Sequence, residues 1–319
     1  MSRPILADKP LKLDRTRIGI SYSGGGPLLL VELGIAQAFV KLGVAPYAIA
    51  GVSAGAIAGT AHAIDVVDGR GIKAAAKSLE RVSDRSLGLT PLQIALEAVW
   101  ERKHLAALGS NESIQSLLDG AFQELAGRAR LTFDYFGHDG RPRLIVTAAD
   151  RLGGGRVEFS GDADVGDALV ASSAIPGVFP PKRMTVGGES LLLVDGGAVG
   201  SQPLSGLALL GCGTIFACAV GYDGERLQDP VNLIDNWQQS MSITFHAASR
   251  LEEEYVQSRM GDQGIIHHVH PEVAFPVKGF NFTPDLVASI MLDASTKTEQ
   301  WITDHDLLAR TGIGMRAEA

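Results

Sequence analysis

A short apolar strand that leads through a Gly-x-Ser-x-Gly turn into an alanine-rich helix constrains the fold of this chain more than any other feature. The segment covers residues 49–56 and is centred on Ser53, with Gly51 and Gly55 two positions to either side. Reversal from strand to helix in so few residues forces the central residue into a cramped backbone conformation, and the flanking glycines remove Cβ atoms that would clash. The pattern predicts an α/β fold that presents Ser53 as a nucleophile, with an ordinary glycine-rich turn as the alternative.

Three successive glycines, Gly24, Gly25 and Gly26, follow a first strand predicted over residues 17–23 and precede an apolar helix predicted over 27–42. Such a run lets the backbone approach a ligand closely, and a helix N-terminus beside it favours anions. The run lacks the Gly-Lys-Ser/Thr of a P-loop and the spacing of a dinucleotide fingerprint, which disfavours nucleotide binding. A plain tight turn is the structural alternative.

Asp195 is a candidate functional carboxylate. It follows a predicted apolar strand over residues 189–194 and precedes Gly196 and Gly197. Open α/β sheets place their functional side chains at the carboxyl ends of strands, which is where this residue is expected. An Asx-type turn is the alternative.

Charge and cysteine content restrict the expected classes of binding partner and the expected cellular compartment. With 36 acidic and 28 basic residues the net charge is −8, so the sequence predicts no nucleic-acid partner. Cys212 and Cys218 lie in an uncharged stretch and indicate buried thiols in a reducing compartment, for which the cytoplasm fits best. Residues 1–17 lack the apolar core of a secretory signal.

Two uncharged runs, residues 43–64 and 203–221, approach the length of a membrane span. Pro46, the serine turn and several glycines interrupt the first run, and Gly211 and Gly213 divide the second into a short helix and a strand. Strands buried on both faces of a parallel sheet are continuously apolar in the same way. Neither run is therefore predicted to cross a membrane.

The chain is predicted to form one domain, residues 17–319, after a flexible leader over residues 1–16. Residues 65–130 show helical patterning without a good strand and are interpreted as an insertion, and residues 222–319 are expected to be mainly helical. The apolar stretch 87–100 within the insertion suits either a mobile cap over Ser53 or a helical layer packed on the sheet.

His267, His268 and His270 lie in a predicted strand. Alternation would place His268 and His270 on one face, which resembles a pair of metal ligands. A metal site needs further convergent ligands, and the sequence identifies none. No metal is therefore predicted.

Taken in order, four motifs resemble those of the patatin-like phospholipases over roughly residues 18–203. They are the glycine run at 23–26 with Gly34, the serine turn at 51–55, the segment 171–181 and Asp-Gly-Gly at 195–197. The resemblance implies a three-layer α/β/α sandwich with a mainly parallel central sheet. It also implies a Ser-Asp dyad in which Ser53 is the nucleophile and Asp195 the base, with Gly24, Gly25 and Gly26 supplying oxyanion N–H donors.

This chain departs from the family pattern at two places. Leu28 and Leu29 follow the glycine run where the family usually has a basic residue and then Gly. Ser201 stands where the family has Asn near the end of the Asp-Gly-Gly segment. The first departure removes a cation from the segment beside the glycine run.

The leading hypothesis is a serine hydrolase that cleaves fatty-acyl esters of phospholipids or related lipids through an acyl-serine intermediate, with no metal or organic cofactor. Its expected partner is a lipid acyl ester, with peripheral contact at a membrane surface. One alternative is a Ser-His-Asp esterase that uses Asp195 with His267, His268 or His270. The other is a catalytically inactive domain that binds lipid or protein.

Overall fold

In the computed structural model, the described residues are 11–87, 109–112, 114–116, 118, 120, 130–231, 233–274 and 279–307. Within these ranges one mixed sheet runs in the order β5-β6-β3-β2-β1-β7-β8, and β4 also pairs with β3. Its strands are β1 (Asp14–Tyr22), β2 (Ala48–Val52), β3 (Arg143–Asp150), β4 (Arg156–Phe159), β5 (Lys182–Val186), β6 (Glu189–Asp195), β7 (Cys212–Cys218) and β8 (Ile265–Val269).

Helices cover both faces of the sheet. One face packs against a large apolar core that takes in Ile49, and the other packs against a smaller core that takes in its neighbours Ala48 and Ala50. Successive side chains of a strand point to opposite faces, so β2 alone contributes to both layers. The described α-helices are α1 (Leu29–Lys41), α2 (Ala54–Asp68), α3 (Gly71–Leu79), α4 (Val165–Ser172), α5 (Ser205–Leu209), α6 (Leu233–Met260) and α7 (Pro284–Asp304).

The arrangement confirms the predicted three-layer α/β/α sandwich. Strands β1, β2, β3, β7 and β8 are parallel to their neighbours in that group, whereas β4, β5 and β6 pair antiparallel. A mainly parallel centre with an antiparallel margin is common in large α/β sheets.

The strands β2 and β6 pair one after the other with the same edge of β3. The strand β2 pairs with β3 as far as Thr147, and β6 pairs with the next residues, so that Ala148 lies opposite Asp195. The other edge of β3 is occupied by β4, which pairs with Ala148 and Ala149. The end of β6 is therefore brought next to the end of β2.

Gly34, one of the motif residues, explains how α1 packs against α7. A Cβ atom at Gly34 would lie 2.6 Å from the carbonyl oxygen of Met291 and 2.7 Å from Cβ of Ala294. The two helices contact each other closely along this line because the side chain is absent.

The structure describes part of each predicted region of the chain. The strand β1 begins at Asp14, so residues 14–16 of the predicted leader belong to the sheet. The insertion contributes the end of α2 and all of α3, while residues 88–108 and 121–129 lie outside the described residues. The part after residue 222 contains α6 and α7 with β8 between them.

No helix in the described ranges combines the length and the hydropathy of a membrane span. Cys212 and Cys218 are both buried free thiols, as their uncharged surroundings predicted.

Candidate active site

Ser53 occupies the turn between β2 and α2 in a strained conformation. Its φ of 54° and ψ of −124° lie in a region that residues other than glycine seldom adopt, at a cost of about 1–3 kcal/mol. A Cβ atom at Gly51 would lie 2.3 Å from the carbonyl oxygen of Gly55, and one at Gly55 would lie 2.2 Å from that of Ser23. The two glycines are therefore required for the turn, and Ser53 is held where a nucleophile is expected.

A buried serine that the sequence analysis missed fixes the backbone of this turn. The N–H of Ser53 donates to Oγ of Ser172 at 2.8 Å, and Oγ of Ser172 donates to the carbonyl oxygen of Thr147 at 2.7 Å. Ser172 is fully buried at the end of α4. Because the N–H of Ser53 is already bonded, it is not free to stabilise an oxyanion. The only sequence signal for this role is a serine that ends an otherwise apolar helix.

Asp195 is the last residue of β6 and is 2% exposed. Burial raises the pKa of its carboxyl group to about 6, while hydrogen bonds from the Ser53 side chain and from the N–H of Gly197 lower it. The Gly197 bond measures 2.7 Å. A buried carboxylate that accepts a hydrogen bond from a serine hydroxyl can take the proton of that hydroxyl when the serine attacks.

The reason that Asp195 reaches this place differs from the one expected. The prediction placed Asp195 at the carboxyl end of a strand of an open α/β sheet, and this strand, β6, proves to be antiparallel to β3. Asp195 lies near Ser53 because β6 pairs with the same edge of β3 as β2 does, directly beyond the last residue of β2. A Cβ atom at Gly196 would lie 2.4 Å from the carbonyl oxygen of Thr147 and 3.3 Å from Cγ1 of Val52, so the two strand ends meet at this point.

The glycine run lies beside Ser53, since a Cβ atom at Gly24 would be 3.4 Å from that of Ser53. The N–H of Gly24 donates to both the backbone oxygen and Oγ of Ser201, each at 3.0 Å. In the described part of the chain the N–H groups of Gly25 and Gly26 have no acceptor. Of the three expected oxyanion donors, Gly25 and Gly26 are therefore free and Gly24 is occupied.

An apolar cavity of about 130 Å³ opens from Ser53 and follows one face of α2. Its size is similar to the roughly 150 Å³ of an engineered apolar cavity that stays dry and binds apolar molecules. Leu29 lines it, whereas Leu30 lies in the core. The cavity is lined by Ala54, Ile57, Ala61, Ile64, Ala75, Leu79, Val82, Leu87, Ile114, Leu118, Leu169, Phe179 and Phe280, among others.

The insertion contributes residues of α3, such as Ala75 and Leu79, to this cavity. Beyond α3 it contributes Leu87, Ile114 and Leu118, each of which is less than 9% exposed. The rest of the apolar stretch 87–100, for which a cap was predicted, lies outside the described residues. The described part of the insertion therefore provides wall residues close to Ser53.

A second cleft, of about 290 Å³ and more polar, adjoins Ser53 on the side of Asp195 and the glycine run. Leu28 lines this cleft and not the apolar cavity. Ser53 is common to both spaces. The further lining residues include Gln202, Tyr222, Asp223, Ser242, Phe245, His246 and Ser249.

The histidines of β8 are remote from both spaces. The strand β8 lies three positions from β2 in the sheet, and neither His267 nor His268 lines the cavity or the cleft. His268 pairs with Glu253 at 3.2 Å. Within the described residues no cluster of three or more His, Cys, Asp or Glu side chains could hold a metal ion.

His62 and His246 differ in their surroundings. His62 is buried beside Phe39, its Nδ1 lies 2.8 Å from the hydroxyl of Tyr22, and burial lowers its pKa to about 3. It lines neither space and is a core residue. His246 lines the polar cleft, with its ring edge-to-face with Tyr222.

Residues 20–208 match the model of a family described as patatin-like phospholipase. VipD from Legionella pneumophila is 15% identical with a TM-score of 0.44, over 92% of this chain and 67% of that one. Full-length ExoU from Pseudomonas aeruginosa, solved in complex with SpcU, is 17% identical with a TM-score of 0.35, over 95% of this chain and 61% of that one. This chain thus spans about two thirds of the length of VipD and three fifths of that of ExoU.

Proposed function

Because the matched region is more than half of the sequence, this chain belongs to the patatin-like phospholipase family, and we propose that it is a serine acyl hydrolase that cleaves fatty-acyl esters with a Ser-Asp dyad. Membership supports lipid hydrolysis in general. The observation that carries the dyad is the position of Ser53 and the buried Asp195 carboxyl group. Both line the polar cleft at its junction with the apolar cavity, and the Ser53 side chain lowers the pKa of that carboxyl group.

In the first half-reaction Oγ of Ser53 attacks the ester carbonyl carbon while Asp195 accepts the serine proton. The N–H groups of Gly25 and Gly26 stabilise the oxyanion, and one such donor is typically worth about 3 kcal/mol of transition-state stabilisation. The tetrahedral intermediate collapses with cleavage of the bond to the leaving oxygen. Asp195 returns its proton to that oxygen, which leaves as an alcohol, and the acyl group remains on Ser53.

Water completes the cycle. Asp195, again a carboxylate, accepts a proton from the water that attacks the acyl-serine carbonyl carbon. Collapse of the second intermediate breaks the bond to Oγ of Ser53, which takes the proton back and releases the fatty acid. Every proton transfer uses Asp195, so the cycle needs neither a metal nor an organic cofactor.

The apolar cavity is the proposed site of the acyl chain, and the polar cleft is that of the alcohol portion of the ester. Each methylene buried in the cavity contributes about 0.8 kcal/mol. Substrates with medium or long acyl chains are therefore expected to be preferred over acetyl esters. The location proposed for the protein is the cytoplasm, with peripheral contact at the membrane surfaces that hold its substrates.

The decisive experiment is turnover of a p-nitrophenyl ester by the purified protein and its Ser53→Ala variant, together with labelling by a fluorophosphonate. We expect the variant to keep the wild-type circular dichroism spectrum while losing both activities, because only an activated serine attacks these electrophiles. A variant that labels at the wild-type rate would rule out Ser53 as the nucleophile. A wild-type protein that neither labels nor turns over the ester would support the inactive binding domain.

A further inference from the structure

The polar cleft beside Ser53 has no lysine or arginine among its described lining residues. The charged side chains that line it are the carboxylates of Asp195 and Asp223. If the acyl chain fills the apolar cavity, the alcohol portion of the ester lies in this cleft. That portion therefore meets negative charge without a compensating cation.

Leu28 follows the glycine run, where the family usually has a basic residue. Its side chain lines the cleft, and its Cδ1 would lie 3.3 Å from a Cβ atom at Gly221, in the loop that also carries Asp223. Like charges at short range are unfavourable, and a phosphate moved from water into this cleft loses hydration without gaining an ion pair. The cleft thus disfavours an anionic head group.

The same cleft is well supplied with groups that recognise hydroxyls. Tyr222, Ser242 and His246 line it, and within the described part of the chain their side chains make no hydrogen bond to the protein. Hydroxyl and imidazole groups both donate and accept, as sugar and glycerol hydroxyls do. A ligand that carries several hydroxyl groups can satisfy them without bringing a charge.

We propose that the alcohol portion of the substrate is an uncharged, hydroxyl-bearing group such as glycerol or a sugar, and not a phosphate ester. This inference rests on the proposed function, because it assigns the acyl chain to the apolar cavity. It narrows the substrate class beyond that of the family, within which phosphate-bearing lipids would be the default expectation.

The test uses substrates that share one oleoyl ester and differ only in the alcohol portion. Monooleoylglycerol, 1-oleoyl-lysophosphatidylglycerol and 1-oleoyl-lysophosphatidylcholine are presented in mixed micelles with a neutral detergent, and fatty acid release is measured. We expect kcat/KM for monooleoylglycerol to exceed that for the lysophosphatidylglycerol by at least tenfold. The zwitterionic lipid should also be hydrolysed more slowly than the glycerol ester, since it keeps the phosphate.

A variant designed to reverse this substrate preference provides a second test. Leu28→Arg should raise the ratio of kcat/KM for lysophosphatidylglycerol to that for monooleoylglycerol by about tenfold, whereas the neutral Leu28→Met variant should keep the wild-type ratio. Because the ratio compares two substrates on one protein, a general loss of activity in either variant cancels.

The outcomes separate this inference from the proposed function. If p-nitrophenyl esters are turned over through Ser53 but the anionic lipid is hydrolysed as fast as the glycerol ester, this inference is wrong and the proposed function stands. No release from monooleoylglycerol by a protein active on p-nitrophenyl esters would also overturn it. If nothing is turned over, the proposed function fails, and this inference fails with it.

Discussion

The side-chain oxygen of Ser201 accepts a hydrogen bond from the backbone N–H of Gly24 at 3.0 Å. The backbone N–H of Ser201 in turn donates to Oγ of Ser249, on α6, at 2.8 Å. Ser201 stands where the family has Asn, and it connects the glycine run to α6. The departure from the family pattern therefore keeps a polar anchor beside the proposed oxyanion donors.

Ser201→Ala is expected to lower kcat by at least about tenfold with little change in KM. The alanine keeps the backbone bond to Gly24 but loses the side-chain bond, and small misplacements of a catalytic group cost rate more than binding. Steady-state kinetics on a p-nitrophenyl ester measures the split. Ser201→Thr retains the hydroxyl and should recover most of the rate. Equal losses in Ala and Thr would indicate a packing role only.

Local features of this site could be read from the sequence because they depend on neighbouring residues. The turn at Ser53 needs Gly51 and Gly55 for steric reasons that hold whatever the rest of the fold does. The N-cap of α4 is equally local, since Asp164 accepts from the N–H of Asp167 at 2.8 Å. The strands predicted over residues 17–23 and 189–194 and the helix predicted over 27–42 lie close to the observed β1, β6 and α1.

Contacts between distant segments could not be read in the same way. The role of Ser172 depends on a bond to Ser53, 119 residues earlier, and that of Ser201 on Gly24, 177 residues earlier. Position in the chain did not reveal that β6 runs antiparallel and takes over an edge of β3. Pairing of this kind is decided by the packing of the whole sheet, and no short pattern records it.

Asp195→Asn is expected to abolish catalysis and yet stabilise the protein at pH 8. The pKa of Asp195 is raised from 3.8 to about 6 by burial, so the folded state holds this proton more tightly than the unfolded chain does. The contribution of this group to the free energy of unfolding is fully present below about pH 4 and is lost as the pH rises through about 6. The loss amounts to up to about 3 kcal/mol. Asn carries no charge and escapes that loss.

Urea unfolding of wild type and Asp195→Asn at pH 4 and pH 8 measures this difference. Asp195→Asn should raise the free energy of unfolding at pH 8 and leave it unchanged at pH 4. The exposed control Asp229→Asn should leave it unchanged at both pH values. The wild-type kcat/KM should also fall as pH is lowered through about 6, because the base becomes protonated. An activity that stays constant between pH 5 and pH 8 would contradict the role of Asp195.

Ala75→Leu is expected to shorten the preferred acyl chain. Ala75 lines the apolar cavity from α3, and a leucine there fills space that acyl methylenes would take. At about 0.8 kcal/mol per methylene, loss of room for two or three should lower kcat/KM for long-chain esters at least tenfold. Butyrate esters should change by less than twofold. A chain-length series on p-nitrophenyl esters tests this, with Lys73→Leu, exposed on the same helix, as the control. A uniform loss at all chain lengths would point to damage outside the cavity.

Replacing His246 is the strictest test of the dyad, because this histidine lines the same cleft as Ser53 and Asp195. In a triad, imidazole takes the serine proton, so replacing the essential histidine costs several orders of magnitude in rate. In the dyad the carboxylate does so directly, and His246 contacts only the alcohol portion of the substrate. His246→Ala should therefore keep kcat on a p-nitrophenyl ester within about tenfold, or 1.4 kcal/mol of barrier.

Five further histidines extend this test. Single alanine variants at His267, His268, His270 and His305 should be as active as His246→Ala, since none of these side chains lines the cavity or the cleft. His62→Ala should lower stability, because it leaves the Tyr22 hydroxyl without its buried partner, while the folded fraction stays active. Asp195→Asn should be nearly as inactive as Ser53→Ala. One histidine variant that is equally inactive, with its fold intact by circular dichroism, would replace the dyad with a triad and assign the general base to that imidazole.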